Sequence, residues 1–103
     1  MLFIKVTLIF LLFFTVSLQS KLIKIGTSVA LTGQSQALGT NLVRGMNLVF
    51  DSINKQGGIK GDLIEFIVLD DQYNPDKTVE NTISLLNDHH VDILTSFTGM
   101  PTV

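Results

Sequence analysis

The period of the hydrophobic positions changes repeatedly along the chain, and each change marks an element. Residues 6–16 are apolar nearly throughout, with Lys5 before them and the polar-ended Ser17-Leu18-Gln19-Ser20 behind. A different pattern starts at Lys21. Ile23, Ile25 and Val29, interspersed with Lys24, Thr27 and Ser28, read as a strand that ends near Leu31-Thr32-Gly33. Leu42, Val43, Met46, Val49, Phe50 and Ile53 then recur at spacings of three and four, which predicts an amphipathic helix over residues 40–56, capped by Thr40 or Asn41. Gly57-Gly58 stops it, because glycine accepts the left-handed backbone common at helix C-termini. Residues 63–69 are almost unbroken apolar, the pattern of a parallel strand covered on both faces.

Asn74-Pro75-Asp76 reads as a helix start: an Asn cap, a proline at the first helical position and an acid favourable to the helix dipole. Val79, Ile83 and Leu86 are the expected buried face of this second helix, which ends within residues 87–90. A third strand is expected over residues 91–95. The resulting order is β-α-β-α-β, and helical connections imply parallel strands with right-handed crossovers.

Composition changes this picture mainly at the start of the chain. The 103 residues are 46% hydrophobic and contain no cysteine, which argues against disorder, a disulfide scaffold or a thiol-based metal site. Four of the seven Phe fall within residues 1–20. That stretch has the tripartite layout of a secretory signal: a short basic region, an apolar centre and a polar end. Its apolar centre is shorter than the roughly 20 residues a membrane-spanning helix needs. Cleavage after Ser20 is expected, and the domain then occupies residues 21–103 outside the cytoplasm. Without the leader the chain holds six basic and nine acidic side chains, which leaves no electrostatic footprint for nucleic acid.

Ligands of open parallel sheets bind beyond the carboxyl ends of the strands. Here those ends are residues 32–38, 70–74 and 96–102. No phosphate-binding loop is present: Gly33 and Gly39 are followed by Thr40 with no Lys. Asp70-Asp71 admits a Mg²⁺-dependent enzyme, but a role in holding the turn into the next helix is the preferred reading. The run Asp70, Gln72, Asn74, Asp76 has Pro75 where a calcium loop needs glycine and Asn81 where it needs glutamate. His89 and His90 are sequence neighbours near a helix end and suit a solvated cap better than a ligand pair. Ser96, Thr98, Gly99 and Thr102 combine hydroxyls with a flexible backbone. Spacing alone leaves open whether they receive a carboxylate or form an ordinary polar loop.

Taken in order, Ile23-Lys24-Ile25-Gly26, Ala30-Leu31-Thr32-Gly33, Leu38-Gly39, Arg44-Gly45-Met46, Ile53-Asn54-Lys55-Gln56-Gly57-Gly58-Ile59-Lys60-Gly61 and Asp70-Asp71 with Asn74-Pro75 resemble the N-terminal segment of periplasmic solute-binding proteins for branched-chain amino acids. These are receptor components of ABC importers with the type I periplasmic binding fold. The resemblance implies an α/β, parallel βαβαβ segment of one lobe of a two-lobed clamp. Such a clamp closes on an α-amino acid or related solute without chemistry or cofactor and presents it to a membrane permease in the periplasm. It further implies that Ser96, Thr98 and Gly99 hold the solute's carboxylate and ammonium, with contacts from Gln36, Ala37 and Leu38. An aromatic often found at that last place is Leu38 here. An extracytoplasmic sensor of the same fold is the alternative. Family members are several times longer, so the chain is expected to be an N-terminal fragment, unable to bind solute alone.

Overall fold

The computed structural model describes residues 21–99, so the expected leader and residues 100–103 lie outside the described residues. Residues 22–29 and 63–70 pair in parallel over eight positions, from Leu22 opposite Leu63 to Val29 opposite Asp70. The elements are β1 (Leu22–Val29), α1 (Gln36–Lys55), β2 (Leu63–Asp70), α2 (Pro75–Asn87) and β3 (Ile93–Leu94). They form a three-stranded parallel sheet in the order β2-β1-β3. The α/β class and the element order read from the hydrophobic pattern are those observed.

The two helices cover opposite faces of the sheet. Phe50 of α1 meets Phe66 of β2 edge-on, with ring centroids 5.0 Å apart. Side chains alternate along a strand and in-register partners share a face, so Ile25, Thr27 and Val68 belong to the α1 side. Gly26 and Ser28 belong to the other, where a Cβ at Gly26 would lie 2.8 Å from Val91 and 3.0 Å from Leu85. β1 is therefore the buried centre, with residues 25–30 all buried.

Helix ends follow local chemistry. At the end of α1 the Gly58 N–H reaches the Ile53 carbonyl (2.9 Å) and the Gly57 N–H the Asn54 carbonyl (3.1 Å), with both glycines at positive φ. This is the crossed pair of bonds that closes a helix through a left-handed residue. The Asn54 amide then pairs with both main-chain groups of Ile64, each at 2.8 Å. At the start of α2 the Asn74 side chain accepts the Asp76 N–H at 2.9 Å, with Pro75 at the first helical position, as predicted.

Four expectations are corrected. First, α1 begins at Gln36, not at residue 40: a turn in which the Gln36 N–H bonds the Gly33 carbonyl starts it early. Thr40, expected as a cap, lies inside the helix and bonds the Gln36 carbonyl at 2.7 Å. The apolar period hides this turn because Gly39 makes its packing contact with no side chain at all. Second, β2 is an edge strand, with Leu63 and Glu65 exposed and residues 66–70 only half-buried. Third, β3 is only Ile93–Leu94, because the Val91 N–H is taken by the Leu85 carbonyl and Asp92 brackets the Lys24 peptide with its N–H and its carboxylate. Fourth, Val79, Ile83 and Leu86 are 59%, 54% and 47% exposed, whereas Thr78 and Leu85 are buried. α2 packs on Gly26 and Ser28, where Leu85 fills the space that Gly26 leaves open and the Thr78 hydroxyl is drawn in to the Asp71 carboxylate beside Ser28.

Gly39 lies so close to β1 that a Cβ would fall 1.8 Å from the Ala30 carbonyl oxygen, whereas one at Gly45 would meet nothing. Denaturant unfolding of the full chain is expected to show Gly39→Ala destabilised by about 1–3 kcal/mol, the scale of overpacking. Gly45→Ala, in the same helix, should gain up to about 1 kcal/mol of helix propensity. The Thr27 hydroxyl is fully buried and has no hydrogen-bond partner. Thr27→Val should therefore stabilise the chain by about 1 kcal/mol, by removing the desolvation cost of an unsatisfied group.

Candidate functional site

The carboxyl edge of the sheet is organised from beneath by Asp71, which is fully buried. Its Oδ2 accepts the Ser28 hydroxyl at 2.9 Å and the Thr78 hydroxyl at 3.1 Å, and its Oδ1 accepts the Tyr73 N–H at 2.9 Å. The Asn81 amide donates to the Ser28 hydroxyl oxygen (3.0 Å) and to the Asp70 carbonyl (2.9 Å). These bonds compensate for removing the carboxylate from water. They join β1, the β2 end and α2 at one point.

Asp70 ties the adjacent loop. Its Oδ1 accepts the N–H groups of Leu31 (2.9 Å) and Gln72 (3.0 Å), and its Oδ2 accepts the Thr32 hydroxyl at 2.6 Å. Burial pulls the Asp70 carboxyl upward, but the bonds from the Thr32 hydroxyl and from the Leu31, Gln72 and Thr32 N–H groups together outweigh it and hold the group below the usual carboxylate value. All four oxygens of the acidic pair thus accept bonds that hold the loops, β1 and α2 in place. No group of three or more metal-ligating side chains is clustered among the described residues.

Strand order reverses at β1: the chain leaves it for β2 on one side and returns to β3 on the other. A crevice between the loops after β1 and β3 is the usual place for a ligand in such a sheet. Ser96, Thr98 and Gly99 follow β3, while Gln36, Ala37 and Leu38 form the exposed first turn of α1, not a loop as expected. The two groups share the carboxyl edge because β1 and β3 are parallel neighbours. Ser96 has φ 63° and its hydroxyl lies 3.2 Å from that of Thr95. Thr102 lies outside the described residues. A residue that sequence reasoning passed over, Tyr73, also reaches this edge and packs on Gly99. The sequence signal for it was confined to the turn-forming surroundings Asp71-Gln72-Tyr73-Asn74.

The Asp70 bonds predict an acid-sensitive component of stability. A carboxyl whose folded-state value is depressed stabilises fully above its unfolded value, near ~3.9, and loses that contribution as pH falls through the folded value. In acid titrations followed by circular dichroism, the stability difference between wild type and Asp70→Asn should be constant at higher pH and shrink below about pH 4. A difference independent of pH would contradict this role.

The model of the periplasmic binding protein family matches residues 22–103. Among solved structures, a possible leucine/isoleucine/valine-binding protein from Rhodopirellula baltica SH 1 is 32% identical with a TM-score of 0.77, over 82% of this chain and 23% of that one. The branched-chain amino acid transporter substrate-binding protein from Streptococcus pneumoniae, in complex with isoleucine, is 30% identical with a TM-score of 0.72, over 80% and 24%. A solute-binding protein of an ABC transporter from Rhodopseudomonas palustris BisB5, in complex with 3,4-dihydroxy benzoic acid, is 28% identical with a TM-score of 0.69, over 79% and 22%. The chain thus spans under a quarter of the length of these structures. No match was found among curated proteins. The family consists of solute-binding proteins, not enzymes, and implies an extracytoplasmic location. With its parallel sheet, its reversal of strand order at β1 and a family match over residues 22–103, the chain belongs to the periplasmic binding proteins, with the type I fold.

Proposed function

We propose that the chain provides first-lobe contacts in the substrate-binding component of an ABC importer for branched-chain or related amino acids. The observation that supports this reading is the placement of the hydroxyl-bearing residues 96–99 and the first turn of α1 on one carboxyl edge, where the strand order reverses. Ser96 and Thr98 would donate to the solute carboxylate in charge-assisted bonds. The N-terminal turn of α1, at Gln36 and Ala37, adds the positive end of a 20-residue helix. Leu38, an exposed aliphatic side chain, would meet the solute's apolar part.

Two of the related structures hold isoleucine and 3,4-dihydroxy benzoic acid, which differ in everything except a carboxylate. That common group supports carboxylate reception as the first lobe's task, with solute identity decided by the other contacts. Residues 1–20 act in this reading as a leader delivering the domain to the periplasm, where it hands the solute to a membrane permease.

Titration calorimetry tests the proposal. Residues 21–103, continued to the length of the structural relatives, should release heat with leucine, isoleucine or valine, whereas residues 21–103 alone should release none measurable. If the continued chain binds no amino acid, amide or small carboxylate, the transport reading fails.

A further inference from the structure

Tyr73 takes no part in the loop-holding bonds through its side chain, yet its position is tightly specified. Gln72 and Tyr73 both have left-handed backbone, φ 54° and 62°, a conformation uncommon for residues with a side chain. The Tyr73 N–H is bound to the buried Asp71 carboxylate at 2.9 Å. This turn carries the half-buried ring across the carboxyl edge to the loop after β3. A Cβ placed on Gly99 would lie 2.2 Å from Cε2 of Tyr73, 2.6 Å from Cζ and 2.7 Å from the phenol oxygen. Gly99 itself has φ 95°, so glycine is required there both by backbone conformation and by the ring. In sheet order β1 lies between β2 and β3, so the contact closes over the end of the central strand.

We propose that Tyr73 is a positioning residue for the candidate solute loop: its ring occupies the space of a Cβ at residue 99 and thereby fixes the backbone carrying Ser96 and Thr98. The inference rests on reading residues 96–99 as solute-binding. Asp71 then reaches the site through two contacts, its own bond to the Tyr73 N–H and the ring on Gly99. Tyr73→Phe keeps this function because the packing surface is the ring, and Tyr73→Ala removes it.

The chain contains one tyrosine and no tryptophan, so its intrinsic emission comes from Tyr73 alone. Acrylamide quenching of the full chain should be weaker than that of N-acetyl-tyrosinamide. In Gly99→Ala it should rise toward the free value, because the new methyl displaces the ring. Gly33→Ala is the control, since Gly33 also has positive φ (87°) but open space around it, and its quenching should stay at the wild-type level. Wild-type quenching equal to that of the free compound, or no change in Gly99→Ala, overturns the contact.

The functional arm uses the continued chain titrated with leucine. Tyr73→Phe should retain wild-type affinity and Tyr73→Ala should lose about tenfold, the equivalent of 1.4 kcal/mol. Equal affinity in all three proteins overturns the positioning role, as does a Phe variant as weak as the Ala variant. If leucine gives no heat, whichever of isoleucine or valine binds replaces it in this arm. Absence of heat with every amino acid, amide and small carboxylate defeats the solute reading and the positioning role with it, while the quenching arm still decides the contact separately. Should Tyr73→Ala not fold, Gly99→Ala replaces it, with the same tenfold loss expected and unchanged affinity overturning the role.

Discussion

A single buried carboxylate sets the terms for the rest of this structure. Leaving Asp71 unpaired in the interior would cost more than a small domain can spare, since a charge without partners is among the most expensive groups to bury. Its neighbours are the answer to that constraint. Ser28 stands on β1 where an aliphatic residue would otherwise pack, Thr78 sits in the first turns of α2, and the backbone of Gln72 and Tyr73 adopts left-handed geometry beside it. The bond to Ser28 joins residues 43 apart in sequence, so it holds the β2 end against β1 independently of the sheet ladder. The same bonds set the rotation of α2, which turns Thr78 and Leu85 inward and leaves Val79, Ile83 and Leu86 outside.

This arrangement bears on recognition because a clamp gains affinity from donors that are already in place before the solute arrives. Donors to a carboxylate discriminate best when their backbone cannot relax around a poor fit. The acidic pair supplies rigidity on two sides of the carboxyl edge. Asp70 fixes the residues leaving β1 through Leu31 and Thr32, and Asp71 fixes the residues leaving β2 through Tyr73. In the proposed reading the acids act as scaffolding for groups that carry no charge themselves. This is also why paired aspartates at a strand end invite a metal or catalytic reading that their hydrogen bonds do not support.

What the sequence disclosed depended on whether the deciding interaction was local. The Gly57-Gly58 stop and the Asn74-Pro75-Asp76 start were legible because both are settled within one helical turn. Element order and parallel pairing followed from the change of hydrophobic period. The buried face of α2 was misread because an apolar stripe is the usual guide to burial, whereas here the opposing surface is Gly26, Ser28 and Asp71. The position of β2 at the sheet edge could not be read from its own residues, since strand order is decided by the crossover to β3. That residues 36–38 and 96–99 share the carboxyl edge was legible from the element order. Tyr73 was not, because its partner Gly99 lies on another loop and the contact exists only through two left-handed residues.

The side chain of Asn54 has an effect that extends past its own helix. By donating to and accepting from Ile64, it satisfies the outermost backbone groups at the start of β2 with an amide that mimics a neighbouring strand. Unpaired strand margins recruit other chains, and proteins commonly block them. Here the blocked margin is β2, while β3 on the opposite side carries no such plug among the described residues. The sheet is therefore directional. It can be enlarged by strands laid beside β3, and at the start of β2 one amide turns further strands away.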